Sequence, residues 1–413
     1  MSLFLKSNIK LINVNKGIGD LCSSYRTFFT YTALLNNSKN SDESPLKRLL
    51  NDASSFDGAK ITNPEQQWAT APYPHKPPVH GTKEQIQGDY YKTEKKDPRD
   101  STIIVFPGQG SQYVGMAKDL MKYPMAKDLF DLASYILKYD LLKLCLEGPA
   151  DQLNDTRYCQ PAVMVSSLAA LEKLKEERPN ALNNCVATAG FSLGELTALV
   201  FAGSIQFENA IKLVQIRAEA MKLAADTCKG GMMTVMFGPD SKVNYACKIA
   251  KDWAMDKGDE YPECRIANYL YPHCKVISGS ESALDYMEKN YKEYKIKKVK
   301  RLPVSGAFHS DHMIQAVSVF RRALKKTDIQ DPIIRVYSNV DGKRYRNANH
   351  IREQLPKQIV KPVKWEQLLH VVYERDPGEY FPQTYECGPG HSLKTILKQV
   401  NAKAWDHCFN IEA

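Results

Sequence analysis

The stretch from Val186 to Leu199, VATAGFSLGELTAL, constrains the fold most tightly. A short apolar run stops at Gly190-Phe191-Ser192-Leu193-Gly194, and helix-forming residues follow at once. The G-x-S-x-G pattern in this setting predicts a strand, a sharp turn and a helix. A serine raised on so tight a turn presses its neighbours against strand and helix, where a Cβ would clash, and glycine meets that demand. Ser192 would then clear the sheet, with the Leu193 N–H aimed where an oxyanion would form. On these residues alone, an ordinary strand-to-helix turn fits as well.

A second glycine-bearing loop lies upstream. Ile103 to Phe106 reads as a buried strand running into Pro107-Gly108-Gln109-Gly110-Ser111-Gln112, with a helix expected from about Met116. The loop lacks the Walker lysine and the G-x-G-x-x-G spacing, so a phosphate cradle is not indicated. Its glycines would let the Gln109 backbone approach another loop. Cys159-Gln160-Pro161-Ala162 opens an apolar helix to about Leu174, with Pro161 suited to its first turn. Gln160 reads as a cap at its mouth and is retained as a substrate-contact candidate.

A helix expected from about Phe207 to Ala225 places Ala210, Leu213, Val214, Arg217, Ala220, Met221 and Ala224 on one face. A guanidinium on an apolar stripe is costly without a partner carboxylate. That partner is either an acid of this chain or a carboxylate-bearing substrate, which arginine can hold through two parallel bonds.

The segments FPGQGSQ, GFSLGE, QIRAEAM and GAFHS, in this order, resemble the malonyl-CoA–acyl carrier protein transacylase family, and most of all its mitochondrial branch. The likeness runs from Ser101 to near Trp405. The bacterial pattern has histidine where this chain has Phe191, so the residue before the serine is not the base. The resemblance implies an α/β fold: an α/β hydrolase-like core (101–227 and 304–413) with an inserted ferredoxin-like βαββαβ subdomain (228–303), the substrate lying between them. Periodicity over 228–303 gives the same order: strands near Met232–Phe237, Cys264–Tyr269, Lys275–Ser278 and Ile296–Leu302, with a helix to about Met255 and another over Glu281–Tyr291. The last strand of the chain is expected at Thr384–Cys387, before a closing helix near Leu393–Val400.

The resemblance also assigns roles. It selects His309, among nine histidines, as the base for Ser192. It implies that the backbone carbonyl of Gln358 orients that histidine, leaving Asp311 as a helix-start residue. Gln109 and Leu193 would supply the oxyanion N–H groups, Arg217 would hold the malonyl carboxylate, and Asn268 and Phe308 would line the pocket. Lys297, Lys298, Lys300 and Arg301 belong to the strongest basic cluster, which reads as a solvated strand face or as a rim that steers the acidic acyl carrier protein. The implied substrates are malonyl-CoA, a coenzyme A thioester, and the holo carrier protein, with no cofactor. A serine esterase or thioesterase, and a non-catalytic carrier-binding subunit, remain alternative readings.

Composition narrows the setting. The first forty residues hold five basic residues and one acid among many serines, threonines and aromatics. That is the make-up of a mitochondrial transit peptide (1–40), pointing to the matrix. Residues 41–100, with APYPHKPPVHG, read as an extended leader. Ten scattered cysteines without a C-x-x-C pair favour neither a disulfide framework nor a structural metal site. A net charge of +9 without nucleic-acid motifs does not imply nucleic acid, and no apolar run is long enough for a membrane span. A monomer is expected.

Overall fold

The computed structural model describes residues 97–376 and 378–413. The expected transit segment 1–40 and all but the end of the leader 41–100 lie outside the described residues. Two five-stranded sheets organise the rest into an α/β fold.

The first sheet is parallel. Its strands are β1 (Thr102–Phe106), β2 (Cys185–Gly190), β7 (Arg335–Tyr337), β9 (Gln383–Gly388) and β10 (Cys408–Glu412), in the order β10-β9-β1-β2-β7. Every residue of β1 is buried, as a parallel strand covered on both faces requires. On one face Ile103, Val105, Ala187 and Ala189 pack against Trp365, Leu368, Leu369, Leu393 and Leu397. On the other, the Phe106 ring meets Phe201 edge to face at 5.9 Å.

The second sheet is mixed. It comprises β3 (Gly230–Phe237), β4 (Cys264–Tyr271), β5 (Cys274–Ser280), β6 (Ile296–Arg301) and β8 (Val363–Lys364), in the order β6-β3-β5-β4-β8. The first four strands pair antiparallel, and β8 adds a short parallel edge through Asn268 and Val363. Met233, Val235, Ile266 and Ile277 face two helices, Val243–Asp256 and Glu281–Asn290.

Three helices carry residues of the site, α2 (Thr156–Glu177), α3 (Leu193–Phe201) and α4 (Phe207–Thr227), and α1 (Pro124–Leu137) packs against α2 and α4. Among the described residues no helix is long and apolar enough to cross a membrane.

Several expectations need correction. The segment after the first glycine loop forms a 3-10 turn over Lys118–Lys122, and α1 starts only at Pro124; two positive-φ residues, Gly115 and Ala117, break an earlier start. Helix α2 begins five residues before Pro161, capped by Asp155, whose carboxylate accepts from Arg157 N at 2.9 Å. Gln160 is therefore no cap. The chain adds β10 beyond the expected last strand, and β8 extends the smaller sheet from outside 228–303.

Candidate active site

Ser192 sits at the end of β2 and before the first turn of α3, with φ 51° and ψ −100°. Non-glycine residues rarely hold positive φ, so surrounding contacts must enforce it. A Cβ on Gly190 would lie 1.8 Å from the Gly194 carbonyl carbon, and one on Gly194 would lie 2.2 Å from Phe106 O. Asn339, on the loop after β7, clamps the turn: its Oδ1 accepts from Ser192 N at 2.7 Å, and its Nδ2 donates to Gly190 O at 2.8 Å. Leu193 is the first helical residue, so its N–H has no partner within the helix and is free to face a ligand. The Gly108 loop lies against the same turn; a Cβ there would approach Phe191 O to 2.4 Å. This brings Gln109 beside the serine turn, its side chain held by Thr156 Oγ1 at 3.1 Å.

His309 arrives on the segment between β6 and the helix Ile314–Lys326. Its Nε2 lies 2.9 Å from Ser192 Oγ, and its Nδ1 lies 2.7 Å from Gln358 O. The carbonyl can only accept, so Nδ1 carries the proton and Nε2 is left to accept from the serine. Burial, reinforced by the nearby Arg217 charge, pushes the imidazole down to about 4, so it is neutral at physiological pH. The segment is pinned on both sides: Ser278 Oγ donates to Phe308 O, and Asp311 is paired with Arg265 of β4. Asp311 starts the short 3-10 turn that follows and makes no contact with the His309 ring among the described residues.

Arg217, on α4, is 1% exposed. Nη1 donates to Gln160 Oε1 at 2.6 Å, and Nη2 donates to Gln358 Oε1 at 2.8 Å and to Ser192 Oγ at 3.1 Å. No carboxylate pairs with it directly among the described residues, and its buried Nε has no partner. Burial lowers its pKa to about 10, which the Glu195 charge opposes, so it remains a cation at neutral pH. A buried cation with an unused donor, touching a nucleophile, can receive an anion. Behind it stands Glu195, in the first turn of α3. Burial raises its carboxyl to about 7, against hydrogen bonds from Tyr345 OH (2.6 Å), Gln358 Nε2 and Asn339 N (3.2 Å).

Ser192, His309, Arg217, Gln160 and Gln358 thus form one cluster. Phe308 adjoins it in sequence and is 5% exposed. Asn268 is buried on β4 opposite Val363 and makes no hydrogen bond to the cluster among the described residues. Lys297, Lys298 and Lys300 project into solvent from β6. Arg301 does not join them, because it is held by Glu281, Asp285 and Glu288 of the adjoining helix. Among the described residues no group of three His, Cys, Asp or Glu side chains is placed to hold a metal ion. Asn339, Glu195 and Tyr345 were not singled out from the sequence. Glu195 did leave a signal, as the one charged residue on a helix otherwise built of small and apolar side chains and threonine.

Comparison with known proteins agrees with this architecture. The acyl transferase domain family matches residues 103–380. The chain is similar to a probable malonyl-CoA-acyl carrier protein transacylase, mitochondrial, of Drosophila melanogaster, with 58% identity over 317 residues, covering 77% of this chain and 84% of the relative. Its fold is similar to the malonyl CoA-acyl carrier protein transacylase structure from Coxiella burnetii, with TM-score 0.69 and 30% identity, covering 76% of this chain and 95% of that one. It is also similar to a malonyl-transacylase solved in complex with its type II PKS acyl-carrier protein, with TM-score 0.66 and 32% identity over 75% and 94% of the two chains. With its serine turn, its neutral histidine and a matched domain that takes in the whole smaller sheet and β1, β2 and β7 of the parallel one, the chain belongs to the acyl transferase domain family.

Proposed function

We propose that the chain is a malonyl-CoA:acyl-carrier-protein S-malonyltransferase of the mitochondrial matrix. The observation that carries this reading is Arg217, a buried cation whose Nη2 reaches Ser192 Oγ. An acyl group on that serine which ends in a carboxylate finds a charge-assisted partner, and an uncharged one leaves the guanidinium unanswered. The resemblance to mitochondrial relatives supports the compartment.

The thioester carbonyl of malonyl-CoA lies against Ser192 with its free carboxylate on Arg217. Oγ attacks as its proton passes to Nε2 of His309. The N–H groups of Gln109 and Leu193 receive the oxyanion; loss of one such donor typically costs about 3 kcal/mol. The tetrahedral intermediate collapses, the C–S bond breaks, and coenzyme A leaves with the proton from the imidazolium. The phosphopantetheine thiol of the carrier protein then attacks the malonyl ester, giving its proton to His309, and the C–O bond breaks as that proton returns to Ser192 Oγ. The sequence of steps calls on no cofactor and on one copy of the chain.

We read the parallel sheet as a hydrolase-like core and the smaller sheet as ferredoxin-like; its order β6-β3-β5-β4 within a βαββαβ run supports this. Phe308 and Asn268 line the pocket. Exposed Lys297, Lys298 and Lys300 favour approach of an acidic carrier protein.

The test is incubation with malonyl-, acetyl- and methylmalonyl-CoA, followed by intact mass and then by addition of holo carrier protein. The expected result is a malonyl adduct on Ser192 that moves to the carrier thiol. An adduct lost to water rather than to thiol would make the chain a hydrolase, and no adduct would leave it a non-catalytic binding subunit.

A further inference from the structure

Gln358 performs two tasks with opposite ends of one amide. Oε1 accepts from Arg217 Nη2, and Nε2 donates to Glu195 Oε2 and to Ser192 O at 2.7 Å. An amide is nearly symmetric in shape, so sterics alone do not decide which end faces the arginine. The decision comes from the far side, where the backbone carbonyl of Ser192 and the carboxyl of Glu195 both accept from Nε2. Glu195 is 0% exposed and surrounded by donors: Tyr345 OH, Asn339 N and the Gln358 amide. Asn339 N and Gln358 Nε2 can only donate, and only the Tyr345 hydroxyl could accept a proton in return, so two of the three partners call for a lone pair on this carboxyl.

We propose that Glu195 is a positioning residue for acyl selection: accepting from Nε2 alongside Ser192 O, it holds the Gln358 amide in the orientation that presents Oε1 to Arg217 and keeps the guanidinium aimed at the acyl site. This rests on the malonyl-transfer reading. Turning the amide over would set Nε2 against the guanidinium, two donors face to face, and expel Arg217 from its place. Glu195 lies behind Gln358 and touches neither the imidazole nor the serine hydroxyl, so its influence falls on the arginine and not on the proton transfer. The backbone carbonyl of Gln358 that meets His309 is unaffected by which way the side-chain amide lies.

Glu195→Gln is the test, since it keeps size and replaces the accepting carboxyl by a group that also donates. The expected result is a fall of about tenfold or more in kcat/KM for malonyl-CoA, with acetyl transfer within about threefold of wild type, so that the malonyl-to-acetyl ratio collapses. Equal losses for both acyl groups, or an unchanged ratio, would overturn the proposal and make Glu195 structural. Should Glu195→Gln not fold, Gln358→Met removes the amide and keeps the carbonyl; whatever the loss of overall rate, a fall in the malonyl-to-acetyl ratio is expected, and an unchanged ratio would again overturn it. Wild-type protein that takes no malonyl group would instead refute the transfer reading, and this inference with it.

Discussion

Nδ1 of His309 meets the backbone carbonyl of Gln358 at 2.7 Å. In a Ser-His-Asp triad that position belongs to a carboxylate, which both sets the tautomer and stabilises the imidazolium. A carbonyl sets the tautomer as well but offers only a dipole to the charged ring. Burial and Arg217 then dominate and hold the ring neutral well below its ordinary range.

The first consequence is a displaced acid limb. Acylation by acetyl-CoA, chosen so that carboxylate binding plays no part, should lose rate only as pH falls towards about 4. Stopped-flow release of coenzyme A against pH checks this, and a limb near the ordinary value of 6.5 would refute it. The linked effect has a definite sign. Between 6.5 and about 4 the unfolded chain takes a proton that the native ring refuses, so this group makes stability rise with pH across that window.

Arg217→Ala should abolish preference for the charged acyl group. Each charge-assisted bond lost is worth about 1.5–3 kcal/mol, or roughly 10–100-fold in malonyl kcat/KM. Acetyl transfer should be spared or improved, because the empty space is uncharged. A panel of acyl-CoAs read by intact mass checks the ratio, and parallel losses would assign Arg217 to structure.

Asn339→Ala should loosen the turn that carries the serine. It removes the acceptor for Ser192 N and the donor for Gly190 O, both buried among backbone groups. The expected cost is about 1–3 kcal/mol in denaturant unfolding, with slower acylation of Ser192. Unchanged stability would show that the strained φ of Ser192 is enforced by the glycine contacts alone.

Gly108→Ala should act on the oxyanion site without touching the arginine. The new Cβ would sit 2.4 Å from Phe191 O, so the loop bearing Gln109 must move. Displacing one oxyanion donor lowers kcat by about 100-fold. The malonyl-to-acetyl ratio should stay at its wild-type value. A change in that ratio would mean the loop shift reaches Arg217.

Reversing charge at Lys297, Lys298 and Lys300 should raise KM for the carrier protein in a salt-dependent way and leave acylation by malonyl-CoA alone. Arg301→Glu should instead weaken folding, since three carboxylates already hold that guanidinium. Carrier kinetics at two ionic strengths separate the cases.

Residues that signal through neighbours in the chain were legible in the sequence. Ser192 is announced by the glycines around it, and Arg217 by the apolar stripe it interrupts. His309 has no local signature and was found only through the family wording around it. Asn339 and Tyr345 work across 144 to 150 residues of chain, on atoms of the serine turn and of Glu195, and local pattern carries no trace of such pairing. Pro161 misled because proline favours a first turn, whereas a well-capped Asp155 starts α2 earlier and the helix tolerates the missing N–H. Strand β8 is two residues long, too short for any period to register.

The stretch 358–364 supplies the carbonyl on His309 at one end and the edge strand of the smaller sheet at the other. Four residues separate these duties. The acceptor that sets the imidazole tautomer and the edge strand that closes the smaller sheet are thus one short run of backbone, and the base is held in place through both sheets at once.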